Sequence, residues 1–209
     1  MKLEVQNLSK CFGKQQLFHG FDLVVESGEM VSILGKSGSG KTTLLNMIGM
    51  IEPRDDGAIL YNDQVVSSLK QKKRLLCEHI GFIFQNFGLV DNETVHQNLS
   101  LVKNLRNMKK KEREQMMEEV ILKVGLSKEH LPKKIYECSG GEQQRVAIAK
   151  LLLKDCDVIL ADEPTASLDG ENKKNVMRQL SMLHEQGKTV LIVTHDLEVA
   201  RMCERMIEL

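Results

Sequence analysis

The 209-residue chain has no tryptophan, and its two tyrosines and six phenylalanines amount to only 4% of its residues. That scarcity excludes an aromatic platform on which single-stranded nucleic acid would stack. Nowhere do about 18 apolar residues follow one another, so no segment is expected to span a bilayer. The start, MKLEVQNLSK, lacks an apolar leader core, and no secretory signal is expected. Neither sign of charge is in excess, with 29 basic against 29 acidic residues, so no net field draws the chain to nucleic acid or to anionic lipid. Cys11, Cys77, Cys138, Cys156 and Cys203 are scattered without a CxxC pair. They suit reduced thiols in a cytosol better than a disulfide framework or a zinc site.

What is present is a run of short apolar segments separated by turn residues. Leu3 to Leu8 and Phe21 to Val25 read as strands, the second closed by Ser27-Gly28. Met30 to Leu34 is apolar without strict alternation, as expected of a strand covered on both faces. A helix is expected from Lys41, ending before Pro53, and a hairpin with Asn62-Asp63-Gln64 between Ala58–Tyr61 and Val65-Val66. His79 to Phe84 is a further buried strand. From Glu93 to Glu137 helical periodicity takes over, which predicts a helical lobe inserted into a sheet domain. After a helix over Glu142–Leu153, strands at Asp157–Ala161, Thr189–Val193 and Arg205–Leu209 alternate with helices at Glu171–His184 and Leu197–Cys203. Such alternation predicts a mostly parallel α/β sheet with helices on both faces.

Gly35-Lys36-Ser37-Gly38-Ser39-Gly40-Lys41-Thr42 matches GxxxxGK[ST] in full, between an expected buried strand and an expected helix. Glycines allow successive backbone N–H groups to curl around a phosphate, and the helix start aims its positive end at the same anion. Lys41 suits the β- and γ-phosphate oxygens, Thr42 offers a hydroxyl to Mg²⁺, and Thr43 follows on the same turn. ATP is favoured over GTP, because no Asn-Lys-x-Asp guanine reader occurs; Asn172-Lys173-Lys174-Asn175 lacks the final acid. The apolar segment Val158–Ala161 ends in Asp162-Glu163, where α/β sheets place their ligands. Asp162 is expected to order Mg²⁺, and Glu163 to polarise an attacking water.

Ser139-Gly140-Gly141-Glu142-Gln143-Gln144-Arg145, ahead of a good helix, resembles the LSGGQ-type signature of ATP-binding cassette (ABC) ATPases. Two readings of it stand together: a second anion site at a glycine-bearing helix start, and a capping box spelled by Ser139 and Glu142. The resemblance spans essentially the whole chain. It implies a P-loop NTPase of RecA-like type, an α/β fold with an N-terminal antiparallel β subdomain. The catalytic core would comprise 1–92 and 140–209, and the helical subdomain 93–139. It implies that Gln85 is a glutamine-loop residue sensing Mg²⁺ and γ-phosphate, and that Ser167-Leu168-Asp169 lies at a dimer contact. It further implies that His195 is a switch histidine and that Phe12 stacks on adenine, the other reading of Phe12 being a core residue. Two copies would then close on two ATP molecules, each gripped by one chain's phosphate loop and the other's signature. Cys138 departs from the usual leucine before Ser-Gly-Gly, and the chain stops at Leu209 where many members continue, so no regulatory extension is expected.

The stretch Gly81–Val90 together with the signature is similar to cassettes of the macrolide-efflux, lipoprotein-release and bacteriocin-export group. This implies a membrane-associated ATPase on the cytoplasmic face, driving export or membrane extraction through separately encoded permease subunits. The rival is a soluble ABC ATPase of repair, translation or cofactor assembly. Against it stand the absence of sustained heptads between loop and signature and the presence of one cassette rather than two. A catalytically silent module conflicts with the intact Lys41, Asp162, Glu163 and His195. Lys103 to Arg113 is basic, but Glu112, Glu114, Glu118 and Glu119 accompany or follow it, so it reads as a solvated helix face rather than a lipid contact.

Overall fold

A computed structural model of the chain describes residues 1–106, 108–166 and 168–209. Two sheets organise it. The first is antiparallel, in the order β2-β1-β4-β5, from β1 (Leu3–Phe12), β2 (Gln15–Val25), β4 (Asp56–Tyr61) and β5 (Gln64–Val65). The expected hairpin is there: Asn62 and Asp63 adopt φ of 49° and 61°, the left-handed pair that lets a two-residue turn follow the strand twist. The second sheet has the order β6-β7-β8-β3-β9, from β3 (Met30–Leu34), β6 (Ile80–Ile83), β7 (Val158–Asp162), β8 (Thr189–Thr194) and β9 (Arg205–Glu208). Every pairing in it is parallel.

The continuous apolar runs follow from this arrangement, because both faces of the parallel sheet are covered. Val31, Ile33, Val158, Leu160, Leu191 and Val193 face a core shared with the antiparallel sheet and α1 (Lys41–Ile48). Their neighbours Met30, Ile159, Ala161, Val190 and Ile192 face a second core with the remaining long helices. That core takes in α3 (Val95–Ser100), α4 (Lys110–Lys123), α5 (Gly140–Lys154) and α6 (Gly170–Glu185). On α4 the buried side chains are Met117, Val120 and Ile121, a single stripe at helical spacing on an otherwise charged helix.

Two segments depart from the sequence-based expectation. Ser68-Leu69-Lys70-Gln71 forms a capping box that starts α2 (Leu69–Arg74), continued by a π-helical turn over Leu75–His79. No apolar stripe announces it, and its start rests on the Ser68–Gln71 cap alone. The helix expected over Leu197–Cys203 is a single turn, α7 (Leu197–Ala200). It ends early because Glu204 N–H donates to Met30 O, drawing the chain back to lay β9 beside β3.

Candidate active site

Four adjacent strand ends build the cleft. In the register of the parallel sheet, Leu34 pairs with Thr194, Val193 with Asp162 and Ala161 with Ile83. The residues that follow β3, β8, β7 and β6 therefore meet at one edge, although they lie far apart in the chain. They are the loop Gly35–Lys41, His195, the Asp162-Glu163 pair and Gln85. A cleft of about 1090 Å³ is lined by Phe12, Gly35, Ser37, Gly38, Gly40, Lys41, Thr42, Thr43, Gln85, Glu163 and His195.

The loop is built around its glycines. Gly40, the residue before α1, has φ 95°, and a Cβ there would sit 2.9 Å from Leu17 and Phe18 side-chain atoms. A Cβ on Gly35 would lie 2.7 Å from Ser39 Oγ. That hydroxyl is buried and has no hydrogen-bond partner among the described residues. Helix α1 has no side-chain cap and no acid in its first turn. Open amide donors together with an orphaned hydroxyl fit a phosphate. Lys41 is only 6% exposed, and its Nζ donates to Gly35 O (2.8 Å) and Lys36 O (2.9 Å), which folds the ammonium group back over the loop.

Thr42 Oγ1 donates to Asp162 Oδ1 at 3.0 Å. Burial pushes the Asp162 carboxyl up, with the Thr42 hydrogen bond pulling the other way. A divalent cation beside it would favour the ionised form. No group of three or more His, Cys, Asp or Glu is placed to hold a metal ion by itself among the described residues. The adjacent hydroxyl and carboxylate of Thr42 and Asp162 fit a cation such as Mg²⁺, which takes few protein ligands and completes its shell with phosphate and water.

Glu163 is held at φ 46°, a left-handed conformation that costs a non-glycine residue about 1–2 kcal/mol. Its N–H donates to Val193 O, its Oε2 accepts from Thr194 Oγ1 (3.2 Å), and its Oε1 lies 2.8 Å from His195 Nδ1 and 3.8 Å from Lys41 Nζ. The carboxylate is thus aimed into the cleft by three neighbours, two from the end of β8 and one from the loop. Phe12, at the end of β1, is 51% exposed, which removes it from the core, and Lys10 Nζ lies 5.0 Å from its ring centroid. Gln15, Leu17 and Leu197 also line the cleft and carry no motif; only the β1–β2 pairing and the turn after β8 bring them there.

Ser139, Gly140, Gly141, Glu142 and Asp169 lie outside this cleft. Ser139 Oγ accepts from Glu142 N–H (3.3 Å) and Ser139 N–H donates to Glu142 Oε2 (2.7 Å), so the capping box is formed. His130 Nε2 lies 3.0 Å from Glu142 Oε1. Asp169 caps α6 through Asn172 N–H, and a Cβ on Gly141 would lie 3.2 Å from Asn172 Oδ1, so signature and α6 start abut. Ser167 lies outside the described residues. Cys138 is buried, with Sγ 3.7 Å from Lys134 O, and burial pushes its thiol up.

Comparison with known proteins gives one consistent picture. The family model described as ABC transporter matches residues 18–166. The chain is 40% identical over 203 residues to the macrolide export ATP-binding/permease protein MacB 2 of Aeromonas hydrophila. That match takes in 94% of the chain but 31% of the relative, so the chain spans about a third of its length. An uncharacterized ABC transporter ATP-binding protein of Bacillus subtilis, YvrO, is 39% identical, covering 98% of the chain and 92% of that protein. Among solved structures, the dimeric ABC transporter cassette MJ0796 superposes with a TM-score of 0.90 at 35% identity, covering 99% of this chain and 94% of that one. A post-hydrolysis dimer of the same cassette, bound to ADP and Pi, superposes with a TM-score of 0.89.

Proposed function

The chain belongs to the ABC transporter family, and from that premise we propose that it is the ATP-binding and ATP-hydrolysing subunit of a membrane exporter. The observation that carries this reading is the meeting of Thr42 with Asp162, and of Lys41 and His195 with Glu163, at adjacent strand ends.

In this reading the N–H groups of Gly38, Ser39 and Gly40 and the start of α1 hold the β-phosphate, with Lys41 turning from its carbonyl partners to the β- and γ-oxygens. Ser37 and Thr43 flank the phosphates, and Phe12 stacks on the base. Thr42, Asp162 and Gln85 hold Mg²⁺; the ion supplies neutralisation of charge on the phosphate oxygens. Glu163 accepts a proton from the attacking water as the bond between the γ-phosphorus and the bridging oxygen breaks, leaving ADP and inorganic phosphate. His195 orients Glu163 and contacts the γ-phosphate. Ser139, Gly140, Gly141, Glu142 and Asp169 serve the partner subunit's nucleotide, since they stand outside this chain's own cleft, and the dimer is ATP-dependent.

The likeness to MacB 2, an ATP-binding/permease protein, supports export through a permease, with the cassette on the cytoplasmic face of the membrane; the match over 92% of YvrO supports the reading that the permease subunits are encoded apart from this chain. The test is Glu163→Gln. It should retain ATP affinity while turnover falls by at least roughly a hundredfold, the scale for losing a positioned base. By light scattering it should be a dimer with ATP and Mg²⁺ and a monomer without them. Near-normal hydrolysis would remove Glu163 from its role, and a monomer at saturating nucleotide would remove the shared sites.

A further inference from the structure

His195 is held in the cleft by little besides its backbone. Its side chain is 59% exposed, so packing does not fix the ring, and its one side-chain hydrogen bond among the described residues is to Glu163. Its place therefore rests on the turn that carries it. That turn leads into α7, a helix of four residues, too short to hold its own start in water.

What fixes the turn is a set of bonds centred on Asp196. Asp196 N–H donates to Thr194 Oγ1 (3.0 Å), and the same hydroxyl donates to Glu163 Oε2. Asp196 Oδ1 accepts from Glu198 N–H (2.9 Å), which caps α7. Asp196 Oδ2 accepts from Lys173 Nζ at 2.5 Å. Lys173 belongs to the Asn172-Lys173-Lys174-Asn175 segment at the start of α6, and its own N–H donates to Asp169 O (2.9 Å). Among the described residues, the Lys173–Asp196 bond is the only hydrogen bond between residues 169–175 and residues 194–200. Each partner favours the charged form of the other: the Lys173 ammonium holds the Asp196 carboxyl below the usual range, and the carboxylate raises the lysine. The two side chains are 27% and 22% exposed. A pair this open to solvent contributes little to folding; what it sets is a position.

We infer, on the ATPase reading above, that Lys173 is a positioning residue for hydrolysis, acting through Asp196 to hold the His195 turn against the start of α6. That same start of α6 is capped by Asp169, which in the ATPase reading serves the partner subunit's nucleotide. Lys173 thus ties the turn bearing His195 in this chain's cleft to the segment that faces the partner.

Steady-state ATPase rates of Lys173→Met, Asp196→Asn and the double variant test this, beside the unmodified chain and Glu163→Gln. Methionine keeps the stem without the charge, and asparagine keeps an oxygen for the Glu198 N–H. Each single variant should lower kcat at least about tenfold, since misplacing a reacting group by about 1 Å costs up to roughly a hundredfold. KM for ATP should change by less than about twofold, because nucleotide binding does not pass through this pair. The urea midpoint should not move. The double variant should be no slower than the slower single one, as expected of two residues acting through one contact. Lys173→Arg should retain most of the rate. Placed in the Glu163→Gln chain, Lys173→Met should leave the ATP-dependent dimer intact. Unchanged kcat in Lys173→Met overturns the inference. So does an additive loss in the double variant, a matching fall in urea stability, or loss of the dimer, each of which makes Lys173 a structural prop. Near-normal hydrolysis by Glu163→Gln is a separate failure, which removes the ATPase reading itself and the role of Lys173 with it.

Discussion

Helices α1 and α5 begin alike in sequence, each at a serine- and glycine-bearing turn, yet their first turns are electrostatic opposites. The start of α1 has a glycine cap at φ 95°, no side chain bonded to its amides, no acid, and a lysine as its first residue. The start of α5 is closed by its own side chains, with Ser139 on the Glu142 amide and Glu142 on the Ser139 amide. The Ser139 N–H, then His130, hold the Glu142 carboxyl down to about 2, so a negative charge sits where a phosphate would approach. One terminus is left open to an anion and the other is satisfied without one. An open terminus can bind on its own, whereas a closed one contributes only when a ligand held elsewhere is brought to it.

Lys41→Ala attacks the open terminus directly and carries the largest expected effect. Loss of a charge-assisted contact of about 3 kcal/mol weakens ATP binding by roughly a hundredfold. Calorimetric titration measures it, and near-normal affinity would mean that α1 needs no lysine and that the contrast rests on the amides alone.

The closed terminus is reached through subunit mixing. Ser139→Arg and Lys41→Ala homodimers should both be inactive. In a mixed dimer one composite site receives both lesions and the other receives neither. Random pairing at equal amounts should then restore roughly a quarter of the unmodified rate. A flat rate across mixing ratios, with subunit exchange verified, would show that α5 does not serve the opposite chain's nucleotide or that one intact site is insufficient.

Glu142→Gln sharpens the comparison with a smaller effect, because glutamine keeps the capping-box position while removing the charge. The ATP concentration needed for dimerisation should fall by about two- to fivefold, the scale of one charge at a helix terminus. A rise instead would make the carboxylate a contributor to closure rather than an obstacle.

The same residue yields a pH dependence. A carboxyl lowered from 4.5 to about 2 in the folded chain contributes stability that is complete above 4.5 and is lost as pH falls towards 2. The stability advantage of the unmodified chain over Glu142→Gln in urea should therefore be present at neutral pH and shrink through that window. A gap that stays constant below 4.5 would mean that the carboxylate is not held by these bonds.

Much of this was legible without coordinates. The phosphate loop needs contiguous residues in one order, and the Asp162-Glu163 pair needs only an apolar strand before it, so both are local statements that a linear reading carries. The parallel sheet was equally legible, because apolar runs covered on both faces look different from half-buried alternation. The segment over Leu69–His79 was not, since it has few buried side chains and depends on the Ser68–Gln71 cap. Phe12 was ambiguous in sequence because an aromatic at a strand end suits a core or a surface equally; its 51% exposure decides the question.

By itself, then, the sequence determined which residues are candidates for the chemistry and which strands deliver them, because those features are encoded over spans of a few residues. Only the tertiary structure decided which of them share a cleft. The strand order β6-β7-β8-β3-β9 gathers Gln85, Glu163, His195 and Lys41 and leaves Ser139 and Asp169 outside. It also decided the distribution of charge. A count of 29 against 29 reads as neutrality, but distance governs Coulombic interaction, and distance is set by which segments pack together. The salt bridges through Glu78 bring α2 and Lys103 to one face, while Glu114 and Glu118, which follow Lys103 in the chain, pair with His96 and Lys128.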